Sequence, residues 1–265
     1  MAGVRVKVCL PAEASDDIEA ALAHALEPFG PGGGLGSGFL WEWWAVRGGS
    51  DASGFRIAPG REGDARLVHD APHYTGEPLP SRPGWCAGGP RELLDLTTAR
   101  EAARAFAAAD WDLWHKLAPD YPAMLPRSVF WARHLADPEG YSRFQVLADH
   151  REQPLMRAFT AERLPGDRHG DPLMALICDE NALTAFELDR DRYVRRLVAQ
   201  ALGAYDLLTL DGWWIEYPAW KTHGSCVAAE NCAHSPEGYD PEDGLVGYLD
   251  GLPAQTLIVS LKCHV

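Results

Sequence analysis

The chain opens on one β-strand and closes on another, and this pairing of ends limits the folds open to it. VRVKVCLP sets Val4, Val6 and Val8 against Arg5, Lys7 and Cys9 and stops at Pro11, the two-residue repeat of a strand. Ser15 is placed to cap a following helix, with Asp16, Asp17 and Glu19 near its positive end and Ile18, Ala21, Leu22, Ala25 and Leu26 on one face. At the other end a short helix near 241–250 precedes TLIVSLKCHV, which reads as the closing strand. Strand and helix at one end, helix and strand at the other, predict that the two termini supply neighbouring strands of one mixed sheet. The expected class is α+β, with a ferredoxin-like core as one candidate and the central helices packed on the sheet.

Between the ends, PFGPGGGLGSG breaks the first helix, and FLWEWWAVRGG reads as a second strand. Residues 50–93 are rich in Gly, Pro, Asp and Arg and predict a long irregular segment. Residues 94–165 predict a helical insertion: an apolar stripe from Ala103 to Leu117, a helix around 124–136, and another around 141–163 that Pro154 should break or kink. The run at 173–188 fits either a strand pair or a helix. Residues 190–205 fit a helix, and LLTLDGWWIEY a hairpin turning at Asp211-Gly212. The whole, residues 1–265, is expected to be a single domain.

Hydrophobic residues make up 46% of the 265, and ten tryptophans exclude disorder over most of the length. No apolar run reaches the roughly 20 residues of a membrane span, and the start lacks a secretory pattern, so a cytoplasmic protein is expected. A formal charge of −14 makes nucleic acid an unfavoured partner, because that affinity is built from Lys and Arg against phosphate. Nothing in the sequence sets an oligomeric state.

His223, Cys226, Cys232 and His234 form H-x2-C-x5-C-x-H, four donors within twelve residues. Two close pairs joined by a short loop suit a tetrahedral zinc ion. The linker between the pairs is shorter than in zinc fingers, and plain packing or a Cys226–Cys232 disulfide are the other readings of the same residues. Cys263 and His264 are adjacent on the closing strand, so they point to opposite faces and cannot share one metal. In a catalytic reading His264 is a general base or extra ligand and Cys263 a nucleophile; in the plain one, Cys263 is buried and His264 exposed.

Alternation along WEWWAVRGG places Trp41, Trp43, Ala45 and Arg47 on one face, with Glu42, Trp44 and Val46 on the other. Such a strand is either sandwiched core or a binding wall. As a wall, Trp43 stacks on a substrate, Arg47 anchors an anion, and Gly48 and Gly49 let it approach the backbone. His69 and His73 in the irregular segment are further candidates for substrate contact or acid–base work. No serine-hydrolase, zincin, kinase, P-loop or dinucleotide signature is present.

VKVCLPAEA, WEWWAVRGG and the terminal LKCHV together resemble an uncharacterised family of actinobacterial and phage proteins, which pairs an early W-[DE]-W-[WY]-x-[IV]-x-G-G segment with a final strand ending in Cys-His-[IV]. The likeness covers the two ends, about a third of the chain; it implies a sheet built from both ends and brings no reaction with it. Two functional readings stay open. One is a zinc-binding enzyme acting on a small polar or anionic substrate; the other is a non-catalytic, phage-associated protein that binds a partner or sequesters a ligand.

Overall fold

The computed structural model describes residues 3–33, 40–163, 186–199, 201–202, 206–216, 220–223 (backbone only) and 236–264. In chain order the elements are β1 (Gly3–Leu10), α1 (Ile18–Leu26), β2 (Trp43–Val46), β3 (Phe55–Arg56), β4 (Trp85–Cys86), β5 (Gly88–Pro90) and α2 (Thr97–Leu117). They continue with α3 (Arg127–Ala136), α4 (Arg143–Arg151), α5 (Pro154–Glu162) and α6 (Arg190–Val198). The last are β6 (Asp206–Leu208), β7 (Trp213–Glu216), β8 (Trp220–His223), α7 (Gly244–Gly251) and β9 (Leu257–His264). The fold is α+β with a mixed sheet. Two compact units divide it, residues 1–99 with 202–265, and residues 100–201.

In the first unit the sheet runs β2-β9-β1-β6-β7-β8, with β5 also paired to β9. β1 and β9 are antiparallel over their whole length, from Gly3 opposite His264 to Leu10 opposite Leu257. The two-residue repeat explains this register, because it puts Val6, Val8 and Leu10 on the same face as Leu261, Val259 and Leu257, against Leu22, Leu26 and Phe29 beneath α1. A one-residue slip would turn that whole set away from the helix. β6 lies parallel beside β1, and the β6–β7 hairpin turns at Gly212 with φ 82°. A ferredoxin-like core splits its parallel pair around another strand; here β1 and β6 are direct neighbours, so the order departs from that expectation. The cap of α1 is Asp17, which accepts from Ala20 N at 3.0 Å; Ser15 falls within a short 3-10 turn.

Residues 50–93 are irregular but well packed. Phe55, Cys86, Ala87 and Leu93 are fully buried, β3 pairs with β4, and bridges join Ile57 to Leu94 and Val68 to Gly88. β2 and β5 share one edge of β9, meeting where Arg47 N donates to Ser260 O and Ser260 N donates to Ala87 O.

The second unit packs α2, α5 and α6 around Trp114, Phe159, Phe186 and Tyr193, with Trp114 and Phe186 stacked at 4.3 Å. Pro154 separates α4 from α5 as expected, sitting in the first turn where its missing N–H costs nothing. Ser142 and Gln145 close a reciprocal capping box that starts α4. α6 ends at Val198, and all but the last residues of the 173–188 run lie outside the described residues.

Candidate functional site

The face of the sheet turned away from α1 carries polar side chains on its two central strands. Opposite residues there are Lys7 with Ser260, Arg5 with Lys262, and, on the next strand pair, Lys262 with Ala45 and His264 with Trp43. One end of this face is closed by the loop after β2. Lys7 Nζ donates to Ser53 O at 2.6 Å, Gly54 O at 3.4 Å and Ser260 Oγ at 3.1 Å, and stands 4.5 Å over the Phe55 ring. Burial, then the nearby Arg5 charge, pulls its pKa from 10.5 to about 7, with Asp51 and Cys86 acting in the other direction. This lysine is an enclosed fastener of the loop.

The other end of the face is open. Trp43 is 49% exposed and lies parallel to the His264 ring, centroids 5.3 Å apart at 11°. His264 Nδ1 is 3.6 Å from the Glu42 carboxylate. Diagonal to Trp43 stands Lys262, exposed and without an ion-pair partner among the described residues. Arg5, directly across from Lys262, is held by Asp51 and Ser53. Two cations facing each other across antiparallel strands repel, and among the described residues Asp51 is the one carboxylate that reaches either of them. The result is an indole platform with the Lys262 ammonium diagonal to it and the Glu42 carboxylate at its edge.

Structure brings Trp43 and His264 together; the other expected contact residues go elsewhere. The Arg47 guanidinium donates to the carbonyls of Val46 at 2.8 Å, Ala71, and Pro72 at 3.0 Å, so its fork ties down the 68–74 stretch and does not face a ligand. Gly48, at φ +153°, lies against Gly54, whose Cα would be 2.6 Å from any added Cβ. Gly49 N donates to Asp70 Oδ1 at 2.8 Å, and a Cβ there would meet Ser81 Oγ at 2.2 Å. The chain's own backbone and side chains fill the space these glycines leave. His69 bonds Ser81 Oγ and His73 bonds Thr75 Oγ1, each at 3.0 Å, the first across the irregular segment and the second within one turn.

Cys263 is fully buried on the α1 face beside Val4, and burial pushes its thiol up to about 12, far from a thiolate nucleophile at neutral pH. His264 lies on the opposite face, as the alternation requires. His223 closes β8 with its backbone opposite Trp213, while Cys226, Cys232 and His234 lie outside the described residues. Among the described residues no three His, Cys, Asp or Glu groups gather to hold a metal. The zinc reading therefore keeps its basis in spacing alone.

A second feature lies on the α1 side of β2. Trp41 precedes the strand and does not follow its alternation, so it joins Trp44 on that side, where a groove of about 370 Å³ runs between the end of α1 and the two indoles. Alternation alone places Trp41 with Trp43, and the structure does not. Lys262 and Arg5 were also missed, although period-two spacing in LKCHV already puts Lys262 on the face of His264.

Comparison with family models, with curated proteins and with solved structures finds no match. No helix among the described residues is long and apolar enough to cross a membrane.

Proposed function

We propose that the first unit is a non-catalytic binding module for a flat, anionic small molecule of the nucleotide kind, held at the open end of the sheet face. The carrying observation is the half-exposed Trp43 indole, fixed parallel on His264 with the exposed Lys262 diagonal to it. His264 beneath the indole and the β2–β9 pairing hold the platform in place before a ligand arrives, which reduces the ordering cost of binding. A planar ring stacks on the free face of Trp43, and a carboxylate or phosphate meets Lys262 with Arg5 behind it. The binding reading is preferred to the enzymatic one because Arg47, Gly48, Gly49, His69 and His73 are engaged by their own chain, and because the Cys263 thiol is sealed in the core.

Calorimetric titration with adenosine monophosphate tests it. Stacking of a base on an aromatic side chain contributes ~1–3 kcal/mol, so Trp43→Ala is expected to weaken binding by about tenfold or more. Lys262→Gln should weaken it severalfold, and rising salt should do the same to the wild type. Absence of binding at millimolar nucleotide, or equal affinity in both variants, would overturn the proposal.

A further inference from the structure

On the opposite side of β2 the structure carries a second site of different chemistry. We infer that the groove between the C-terminal end of α1 and the indoles of Trp41 and Trp44 binds a small organic cation of the alkylated ammonium class.

Its walls are aromatic and rigid. Trp41 Nε1 donates to Leu26 O at 3.0 Å, which uses the only donor of that ring and leaves hydrocarbon and π-face for a ligand. The same indole lies on Gly30, where any added Cβ would come within 2.3 Å of Cζ2, so the ring is pressed flat against the backbone. Leu40 N donates to Phe29 O at 2.8 Å and brings the chain back from the end of α1 at the height that seats Trp41. Trp44, on the α1 face of β2, packs against the core with its inner part and lines the groove with the rest. The volume, about 370 Å³, lies at the lower end of the range for small-molecule sites.

The fixed charges and dipoles at the groove are mainly negative. α1 is nine residues long and ends at Leu26, so the negative pole of its dipole and its last carbonyls lie at the groove. The Glu27 carboxylate stands on the rim and is largely exposed. Among the described residues no lysine or arginine lines the groove and His24 is its one basic group, with Nδ1 3.9 Å from Glu27. Indole faces carry a negative quadrupole that attracts cations, most strongly when these are poorly hydrated. An alkylated ammonium satisfies all three features, since its methyl groups fill apolar space while its charge meets Glu27, the helix end and the rings. An anion would be repelled by each of them. The site shares no side chain with the Trp43 face, so the two proposals stand or fall separately.

The test uses choline and its uncharged isostere 3,3-dimethylbutan-1-ol on the whole chain, followed by the indole N–H resonances in a nitrogen–proton correlation spectrum. Choline is expected to shift the Trp41 and Trp44 signals and leave Trp43 unmoved, with the isostere about fivefold weaker or worse. Glu27→Gln, a surface change that leaves the fold intact, should weaken choline severalfold and leave the isostere unaffected; Trp44→Ala should remove binding of both. Equal affinity for the two probes would reduce the groove to an apolar slot and overturn the cation assignment. Shifts confined to other indoles, or none at saturating choline, would overturn it as well.

Discussion

Lys7 on β1 and Ser260 on β9 face each other in antiparallel register, and the lysine Nζ lies 3.1 Å from the serine Oγ. Since Nζ also holds the carbonyls of Ser53 and Gly54, one side chain fastens the loop after β2 to the middle of the sheet. Leaving a buried polar group without its partner costs about 1–3 kcal/mol. Lys7→Ala leaves both carbonyls without this donor and opens a cavity, so a loss of about 3 kcal/mol or more is expected in urea unfolding. Lys7→Met keeps the stem and should lose less. Equal stability of Lys7→Ala and wild type would show that the loop is held by other contacts.

The same lysine gives a pH dependence with a defined sign. Its folded pKa is drawn down to about 7 from 10.5 by burial first and Arg5 second. Between about pH 7 and 10.5 the unfolded chain keeps a proton that the folded chain has released, so this group makes stability rise with pH across that window. The buried thiols act oppositely in alkali, because burial raises Cys86 to about 11 and Cys263 to about 12 while their unfolded forms ionise earlier. The informative quantity is therefore the wild type minus Lys7→Met difference, in which the thiols largely cancel. That difference should grow in favour of wild type from neutral to mildly alkaline pH; a flat difference would mean the amine stays charged in its cage.

The sequence made the end strands legible because the period-two pattern of VRVKVCLP matches a sheet with one apolar face, and Pro154 marks a helix boundary by backbone chemistry alone. The placing of β6 beside β1 was not legible, since that parallel pairing joins Val6 to Asp206 across the inserted unit. Arg47 misled for a similar reason. Its partners are the carbonyls of Ala71 and Pro72, groups every residue carries and no pattern announces. Lys7 looked like the outward residue of an alternating strand, and only the return of Ser53 and Gly54 over the sheet encloses it. Trp41 lies two residues before the strand begins, where the alternation no longer dictates its face.

Gly48 separates a structural role from a binding one. Its φ of +153° and the Gly54 Cα 2.6 Å from a built Cβ leave no room for alanine. Gly48→Ala should lower the melting temperature by several degrees, and protease sensitivity should rise first in the 47–57 loop. Choline binding in the groove should persist at temperatures where the variant is folded. A variant as stable as wild type would show that the two strands of backbone separate freely there.

In the helical unit, Asp110 accepts three bonds of 2.7–2.9 Å from Arg163, and both side chains are largely buried. Removing one member of a buried pair leaves the other uncompensated, which typically costs 3–5 kcal/mol, whereas exchanging both for apolar residues is close to neutral. Asp110→Ala is therefore expected to destabilise this unit by about that amount, and Asp110→Leu combined with Arg163→Met to recover most of it. Far-ultraviolet dichroism, dominated by the helices, reads both in denaturant. If the double variant is as weak as the single one, the pair holds more than its own charges in place.

His150 on α4 supplies the acid-side counterpart. The residue is 2% exposed, its Nδ1 has no hydrogen-bond partner among the described residues, and the Phe130 ring meets it edge-on at 5.9 Å. Burial first, then the charges of Arg127 and Arg151, lower its pKa below the ordinary 6.5. The folded unit thus resists a proton that the unfolded chain accepts, so stability is complete above about pH 6.5 and declines as the pH falls beneath it. His150→Leu keeps the volume and removes the titration, and should flatten the decline between about pH 7 and 5 that wild type shows in urea midpoints. Proton-detected titration of the His150 ring checks the cause directly: an apparent pKa at or above 6.5 in the folded protein would contradict it, and the acid sensitivity would then belong to the carboxylate pairs of α2.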